Sequence, residues 1–388
     1  MVLTNCAACA APLQHPAKQC GRCKTLYCGA ACQKQHWDAG HKDLCKKIKK
    51  AGGAEQYYAN NKYAEAVAVA AEACAEETKG QTCYICTQAL HWKTKEGLVR
   101  GCSCRGTAGF AHVSCLAEQA KILVAEAEEN NWNDERTQTR WGCWDTCSLC
   151  EQAYHGVVAC ALGWACWKTY LDRPKASQAR SVAINVLTLG LKDTADYEGA
   201  LSVQEAELSM LRRVGMPGDI ILMLQGNVAA TYESMGRIEE ALLLKQEAYS
   251  GLLQLKGEED FGSLVAAQNY VSSLCVLGRF EEAKAVLHKM TPAVQRVLEE
   301  KDELALKWKW NYASVLYKDG AATLDDVGEA VTTLEDLVRT TRRVFGGAHP
   351  LTVEIECDLQ MARAALRARG GVDALREAVE AMTPPGSA

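Results

Sequence analysis

The chain has 388 residues, a net charge of −5 at pH 7 and 48 % hydrophobic residues. This balance is typical of a globular protein of two or three domains, and it excludes a global signal for nucleic acid or an anionic membrane surface. No apolar run is long enough for a transmembrane helix, and the start, MVLTNCAAC, lacks a signal-peptide pattern. We therefore expect a cytoplasmic or nuclear protein with no membrane partner.

The cysteine content is the most informative part of the composition. Of 20 cysteines, all but Cys275 and Cys357 lie before residue 170. In a reducing compartment, clustered cysteines bind metal more often than they form disulfides. The distribution therefore predicts metal sites in the front of the chain and none in the back.

The first cluster (residues 6–45) contains two CxxC pairs, one CxxxC pair and one HxxxC pair. Its eight candidate ligands are Cys6, Cys9, Cys20, Cys23, Cys28, Cys32, His41 and Cys45. Each pair can present two ligands to one ion, so the cluster predicts two tetrahedral zinc sites. Closed four-ligand sites leave no position for water or substrate, which predicts a structural role, and so small a unit needs zinc to fold.

The spacing of the first cluster, together with Gln33, Trp37 and His41, resembles a MYND zinc finger. The resemblance implies that Cys6, Cys9, Cys28 and Cys32 share one ion and that Cys20, Cys23, His41 and Cys45 share the other. It also implies binding of a short, often proline-rich peptide. His36 lacks the HxxxC spacing and is expected at the surface, and His15 is not expected to be a ligand.

A linking segment, residues 46–80, follows the first cluster. It begins with the basic run KKIKK, which fits either a localisation signal or a solvated helix end. Tyr63, Val67, Ala70 and Cys74 then recur at helical spacing. We expect an amphipathic helix over residues 55–78, ended by Gly80.

The second cluster (residues 83–150) has the order CxxC, CxC, HxxC, CxxC. Its candidate ligands are Cys83, Cys86, Cys102, Cys104, His112, Cys115, Cys147 and Cys150. Cys143 is an alternative to Cys147 as a zinc ligand, but only Cys147 forms a CxxC pair with Cys150. His91 and His155 do not fit the spacing of the four ligand pairs and are not expected to bind zinc. The remaining cysteines, Cys74, Cys143, Cys160, Cys166, Cys275 and Cys357, are expected to be small core or surface residues.

The second cluster, with Arg105-Gly106, Gly109 and Leu116, resembles a RING-CH finger. The resemblance implies one zinc ion shared by Cys83, Cys86, His112 and Cys115 and another shared by Cys102, Cys104, Cys147 and Cys150. It also implies recruitment of a ubiquitin-conjugating enzyme through Ile85; the alternative is that Ile85 simply packs its loop. Two departures from the family are Gln119, where tryptophan is usual, and Glu151, where active fingers often carry a basic residue.

Helical repeats follow a predicted apolar helix at residues 153–171. Asn185, Asn227, Asn269 and Asn311 recur every 42 residues, and Gly236-Arg237 and Gly278-Arg279 keep the same period before an EEA sequence. This period indicates a helical solenoid. The unit resembles the tetratricopeptide repeats of kinesin light chains, which implies that the four asparagines bind a peptide or protein ligand in a concave groove. The alternative for each asparagine is an interhelix hydrogen bond.

Details of the repeats give further expectations. Pro292 should kink or shift its helix. Trp308 and Trp310 are expected in the core rather than over the groove. Residues 350–368 should form a further first helix, and the terminal MTPPGSA should be disordered.

The predicted fold class is mainly α: two small cross-braced zinc-binding domains followed by a tetratricopeptide-type solenoid. The predicted domains are a MYND finger at 6–45, a linking helix at 46–80, a RING-CH finger at 81–151, repeats at 152–369 and a C-terminal helix and tail at 370–388. We expect four zinc ions, no catalytic residue and no nucleic-acid partner. The leading hypothesis is a ubiquitin ligase whose MYND finger and repeats select the substrate, and the alternative is a non-catalytic zinc-dependent adaptor.

Overall fold

The computed structural model describes residues 6–9, 11, 13, 17–130, 134–174, 177–347 and 349–382. Two short strands, β1 (Lys18–Gln19) and β2 (Leu26–Tyr27), pair antiparallel, and nearly all other regular structure is helical. The chain divides into two compact units, Met1–Pro217 and Gly218–Ala388. The predicted fold class is confirmed: cysteine-rich segments precede an array of paired helices.

The first unit contains both clusters and the first helical pair. Its helices are α1 (Ala30–His36), α2 (Lys42–Lys50), α3 (Ala54–Ala73), α4 (Val113–Glu129), α5 (Asp134–Trp141), α6 (Gly156–Tyr170), α7 (Gln178–Asp193) and α8 (Tyr197–Arg213). A π-helical turn, Trp37–His41, joins α1 to α2, and a 3-10 turn, Gly142–Trp144, follows α5.

Helix α6 lies at the centre of the first unit. Its sequence, GVVACALGWACWKTY, is apolar on every side, which is typical of a helix that is surrounded by protein. It packs against α3, α4 and α7, and the indoles of Trp144 and Trp167 are fully buried in this core. Glycine allows α6 and α7 to approach closely, because a Cβ added at Gly190 would lie 2.6 Å from the Ala159 carbonyl oxygen.

Helix α3 is part of this core rather than a free connection. The side chains of Ala54, Tyr57 and Tyr58 pack with the first cluster, whereas Val67 and Ala70 pack with the second. The helix ends at Ala73, and turns continue to Gly80, so it is shorter than the expected 55–78. The amphipathic stripe is as predicted, since Val67, Ala70 and Cys74 are buried and Tyr63 is half-buried.

The second unit consists of three antiparallel pairs and a long last helix. These helices are α9 (Gly218–Ser234), α10 (Ile238–Lys256), α11 (Phe261–Val276), α12 (Phe280–Val297), α13 (Glu303–Lys318), α14 (Leu324–Val344) and α15 (Pro350–Met382). Gly236 and Gly278 have φ of 76° and 70°, a left-handed conformation that favours glycine. This requirement explains why the glycine recurs with the repeat.

Two expectations about the repeats concern Pro292 and the last helix. Pro292 lies inside α12, as expected, and Met290 and Ala293 on either side of the proline are fully buried; the kink or shift of this helix stays a prediction. The further first helix predicted at 350–368 is present but extends to Met382 as α15. The last six residues, in which most of the expected disordered tail falls, lie outside the described residues. Every helix of the described chain is too short or too polar to cross a lipid bilayer.

Candidate zinc sites and interaction surfaces

The first cluster brings its eight candidate ligands into two groups. Cys6, Cys9, Cys28 and Cys32 form one group, and Cys20, Cys23, His41 and Cys45 form the other. Within each group all ligand atoms lie within 4.8 Å of one another. The pairs interleave along the chain as the resemblance implies, so each group joins one CxxC pair to a second ligand pair farther along the chain.

Distances between ligand atoms fit tetrahedral zinc. With Zn–S near 2.3 Å, two thiolates on one tetrahedral ion lie about 3.8 Å apart. The Sγ atoms of Cys9 and Cys28 are 3.7 Å apart and those of Cys20 and Cys45 3.8 Å. Disulfides would require about 2.05 Å, so these cysteines are not cross-linked to each other.

The histidine site of the first cluster is fully enclosed. The Nε2 atom of His41 lies 3.3 Å from Cys23 Sγ, and Thr25 Oγ1 lies 3.1 Å from the same sulfur, where its hydroxyl can donate to a thiolate. Burial, and then the neighbouring His36, lower the pKa of His41. A neutral imidazole is the form that binds zinc.

The His36 ring packs against the His41 ring of this site and is not a free surface side chain. It stacks on His41 with ring centroids 4.7 Å apart, and its Nδ1 lies 3.0 Å from the Tyr27 hydroxyl. It is not one of the four ligands, as expected, but it is half-buried. His15 lies outside the described residues, so its predicted exclusion has no structural test.

The second cluster also forms two interleaved groups. Cys83, Cys86, His112 and Cys115 make one, and Cys102, Cys104, Cys147 and Cys150 make the other. The Nδ1 atom of His112 lies 3.4 Å from Cys86 Sγ and 3.6 Å from Cys115 Sγ, near the spacing of about 3.6 Å that a tetrahedral zinc site gives. The Sγ atoms of Cys104 and Cys147 are 3.9 Å apart.

Local structure fixes these ligands. His112 is the N-cap of α4 and Cys115 lies in its first turn, so one helix start supplies two ligands. The other ring nitrogen of His112 lies 3.4 Å from the Ala89 carbonyl oxygen, a contact that orients the ring for metal binding through Nδ1. The backbone N–H of Ile85 donates to Cys83 Sγ at 3.4 Å.

Backbone donors favour thiolates at the start of the first cluster and the end of the second. Burial raises the pKa of the Cys6 thiol, but backbone N–H groups, including that of Cys28, outweigh it and lower this pKa to about 6. In the same way, burial raises the pKa of Cys150, but the N–H of Gln152 and neighbouring thiols lower it to about 7. Thiolates are the ligand form for zinc, and the four groups suit four zinc ions.

The residues that compete in the sequence as possible zinc ligands, Cys143, His91 and His155, lie outside the four groups. Cys143 is half-buried against the α6 core, and burial raises its pKa. His91 is buried, with Nδ1 2.8 Å from Thr94 Oγ1, and its ring lies 5.4 Å from that of His112. His155 is the N-cap of α6. Of the other cysteines, Cys74 and Cys166 are buried, Cys160 and Cys275 are half-buried and Cys357 is exposed.

An apolar cleft lies beside the histidine site of the second cluster. Its volume is about 390 Å³, and its lining includes Ile85, Trp92, Gln119 and Ile122. The exposed fractions are 37 % for Ile85, 68 % for Trp92 and 58 % for Ile122, so three large apolar side chains face outward together. We call this the Ile85 cleft. Sequence reasoning found Ile85 but missed Trp92 and Ile122, which lie outside the quoted motif.

The two departures from the RING-CH pattern have visible consequences. Gln119 lines the Ile85 cleft, and its Oε1 is 3.5 Å from the Tyr84 hydroxyl. Glu151 is exposed and has a left-handed backbone, with φ of 55°. A carboxylate at this position can accept hydrogen bonds but cannot donate them when ionised.

The four periodic asparagines do not share one environment. Asn185 on α7, Asn227 on α9 and Asn269 on α11 are exposed, whereas Asn311 on α13 is buried. Asn311 Nδ2 donates to Ser272 Oγ at 3.0 Å, so this asparagine makes the interhelix bond of the alternative interpretation. Trp308 is buried in the core as expected, while Trp310 is half-buried and donates to Asp358 of α15 at 2.8 Å.

Comparison with known proteins agrees with part of this organisation. Residues 6–45 match the family profile of the MYND finger, and the match covers the first cluster alone. No curated protein matches the sequence. Residues 6–45 therefore form a MYND finger.

Several solved structures resemble the chain at low identity. BtubC (BKLC) from P. vanneervenii is 16 % identical with a TM-score of 0.38, covering 71 % of this chain and 95 % of that chain. The kinesin-light-chain TPR-like repeats of Podosopora anserina are 14 % identical with a TM-score of 0.37, covering 60 % and 97 %. A Rap protein solved with the competence and sporulation factor is 13 % identical with a TM-score of 0.38, covering 65 % and 73 %. At these values the similarities carry no functional argument.

Proposed function

We propose that the chain is a ubiquitin ligase in which the second cluster recruits a ubiquitin-conjugating enzyme. The MYND finger supports a protein-interaction role, and in this proposal the finger and the paired helices of the repeats select the substrate. The proposal rests on the likeness of the second cluster to RING-CH fingers. Such a finger forms no covalent intermediate, and it accelerates transfer by holding the reactants in a productive geometry.

The Ile85 cleft is the observation that carries the proposal. Ile85 is 37 % exposed and lines one cleft with the exposed side chains of Trp92 and Ile122, so it belongs to a group of outward-facing apolar side chains. Binding energy in protein interfaces is concentrated in such apolar and aromatic side chains. The cleft lies next to Cys115 and His91, so its shape depends on the adjacent zinc site.

Discharge of ubiquitin from charged conjugating enzymes tests the proposal. We expect the full chain to accelerate discharge from at least one member of a panel, and Ile85→Ala to reduce the rate at least tenfold. Val69→Ala is the matched control, because Val69 is 52 % exposed on α3, outside the cleft. A wild-type chain that neither binds nor discharges any member of the panel would exclude the ligase proposal.

A second candidate, the non-catalytic adaptor, is favoured by Glu151 and Gln119. If the conjugating enzyme binds but ubiquitin is not activated, Glu151 provides a physical reason, because its carboxylate cannot donate a hydrogen bond to ubiquitin. In that case Glu151→Arg should raise the discharge rate without changing affinity for the conjugating enzyme. An adaptor without a conjugating-enzyme site would show no effect of this substitution.

The peptide-binding roles of the other parts also belong to the proposal. In the second unit, the exposed amide of Asn269 can both donate to and accept from an extended peptide backbone, and peptide binding by Asn185 and Asn227 stays a prediction of the resemblance. A proline-rich peptide remains the proposed ligand of the MYND finger. Substrate capture should fall when Asn269→Ala is introduced, whereas Asn311→Ala should act on stability, because Asn311 is bonded to Ser272.

A further inference from the structure

The MYND finger and the helix that ends it carry a concentrated positive charge. Residues 17–50 contain nine basic side chains, Lys18, Arg22, Lys24, Lys34, Lys42, Lys46, Lys47, Lys49 and Lys50, against two acidic ones, Asp38 and Asp43. The whole chain, by contrast, has a net charge of −5. Zinc held by four thiolates is a dianion and zinc held by three thiolates and an imidazole a monoanion, which reduces this excess without cancelling it.

None of these nine cations is neutralised within the described chain. All nine side chains are exposed. The ion pairs of the described residues lie between Glu55 and Arg363, beyond this segment. The contrast with the rest of the protein indicates that the positive charge is available to a partner.

Five of the nine basic side chains lie on helix α2. Its buried side is formed by Cys45, a zinc ligand, and Ile48, and its lysines cover the outer side. From Lys42 to Lys50 they extend over about 12 Å of helix. The buried cysteine fixes the helix against the metal site, so the lysines are displayed from a rigid support.

We propose that the outer side of α2 binds the phosphodiester backbone of a nucleic acid without sequence preference. In the sequence, the short KKIKK run is the one feature that could bind a nucleic acid, and by itself it does not make this partner the expected one; the reason to propose it is that all nine cations lack an ion pair within the described chain. Charge complementarity favours a polyanion. Eight of the nine cations are lysines, which protein interfaces disfavour but which bind phosphates as compact point charges.

The lack of apolar anchors on α2 also separates a nucleic acid from a protein or a membrane. Leu44 is the only large apolar side chain exposed on this helix, at 36 %. A peptide partner or membrane insertion would need more apolar contact than this. The proposal is independent of the ligase proposal, since α2 is not part of the Ile85 cleft.

Fluorescence anisotropy with a labelled 20-nucleotide RNA tests the proposal on the full zinc-loaded chain. The test variant combines Lys46→Gln, Lys47→Gln and Lys49→Gln. The control combines Lys62→Gln, Lys79→Gln and Lys121→Gln, which are 56 %, 70 % and 54 % exposed outside α2. We expect at least tenfold weaker binding for the test variant only, and a salt dependence of log Kd that is smaller by about 2.

A polyglutamate peptide and phosphatidylserine vesicles serve as competing probes. Tighter binding of either than of RNA would overturn the proposal in favour of an acidic protein or a membrane surface. Equal RNA affinity of the test and control variants, or absence of RNA binding by the wild type at 50 mM salt, would also overturn it. Native mass spectrometry must give the same zinc content for all three proteins, which separates lost contacts from lost folding.

Discussion

The Arg180 guanidinium on α7 lies 3.2 Å from the Glu55 carboxylate in the first turn of α3. Arg180 is 3 % exposed, also donates to the Leu171 carbonyl and lies over the Trp167 ring, 4.7 Å from its centroid. One buried cation thus connects the helix after the MYND finger to the first helical pair.

Replacing Arg180 should destabilise the first unit. We expect Arg180→Ala to reduce the free energy of unfolding by about 3 kcal/mol, because it leaves Glu55 without this partner and removes packing on Trp167. Urea unfolding followed by circular dichroism measures the change. Arg339→Ala is the control: Arg339 is 76 % exposed in an ion pair within α14, and its loss should cost less than about 1 kcal/mol. Equal effects would refute a structural role for the Arg180 contacts.

The choice of Cys147 over Cys143 can be tested by metal content. Native mass spectrometry should find about four zinc ions in the wild type. Cys147→Ala should reduce the count by one, because it opens the group of Cys102, Cys104 and Cys150. Cys143→Ala should keep the wild-type count, since Cys143 packs against the α6 core. Loss of an ion from the Cys143 variant instead would reassign the ligand.

Close packing between α6 and α7 gives a third prediction. We expect Gly190→Ala to cost about 1–3 kcal/mol, because the new methyl group would press on the backbone of Ala159 and Cys160. Gly226→Ala, on α9, meets no atom within 4 Å and should leave stability unchanged or raise it by up to about 1 kcal/mol. Thermal unfolding of both variants checks the contrast, and a stabilising Gly190→Ala would show that the helices can separate without cost.

The pH dependence of stability should contain a contribution from Glu207. Burial raises the pKa of this 3 %-exposed carboxyl to about 7, although a hydrogen bond with Ser181 and the charge of Arg180 oppose the rise. Between the unfolded value of about 4.3 and 7 the folded state binds more protons than the unfolded one. The stability that the protonated Glu207 carboxyl contributes below the unfolded-state pKa of about 4.3 is therefore lost as the pH rises through 7.

Glu207→Gln removes this titration. The wild type should lose this contribution as the pH rises from 6 to 8, and the variant should not. The free energy of unfolding of the variant should therefore rise relative to that of the wild type by about 1 kcal/mol over this range, as measured by urea unfolding. Glu205→Gln, which removes an exposed carboxylate two residues earlier on α8, is the control for the loss of one acidic side chain. Parallel pH profiles for the wild type and Glu207→Gln would contradict the raised pKa.

The zinc groups were predictable because ligand spacing is a local property. Pairs such as Cys20 and Cys23 must meet one ion whatever the rest of the chain does, and the interleaved grouping followed from the family resemblances. The helical pairs were predictable for a similar reason, because the turn glycines Gly236 and Gly278 mark a repeated left-handed backbone.

Features that depend on distant packing were not predictable in this way. Asn269 and Asn311 occupy equivalent repeat positions, yet only Asn311 is buried, through its contact with Ser272. Trp92 has no helical or strand pattern around it, so its place beside Ile85 depends on the folded loop. The sequence predicts α3 only as a linking helix, because its two packing partners lie on opposite sides of it in the sequence.

The position of α3 has a consequence for synthesis on the ribosome. The MYND finger can close on its metal as soon as Cys45 has left the exit tunnel, but the apolar side of α3 has no complete partner until α6 has been translated. During that interval Ala59, Tyr63 and Ala66, which pack in the α6 core, lack this part of their packing. A nascent chain paused before Gly156 should therefore be a substrate for co-translational chaperones, even with its first two metal ions in place.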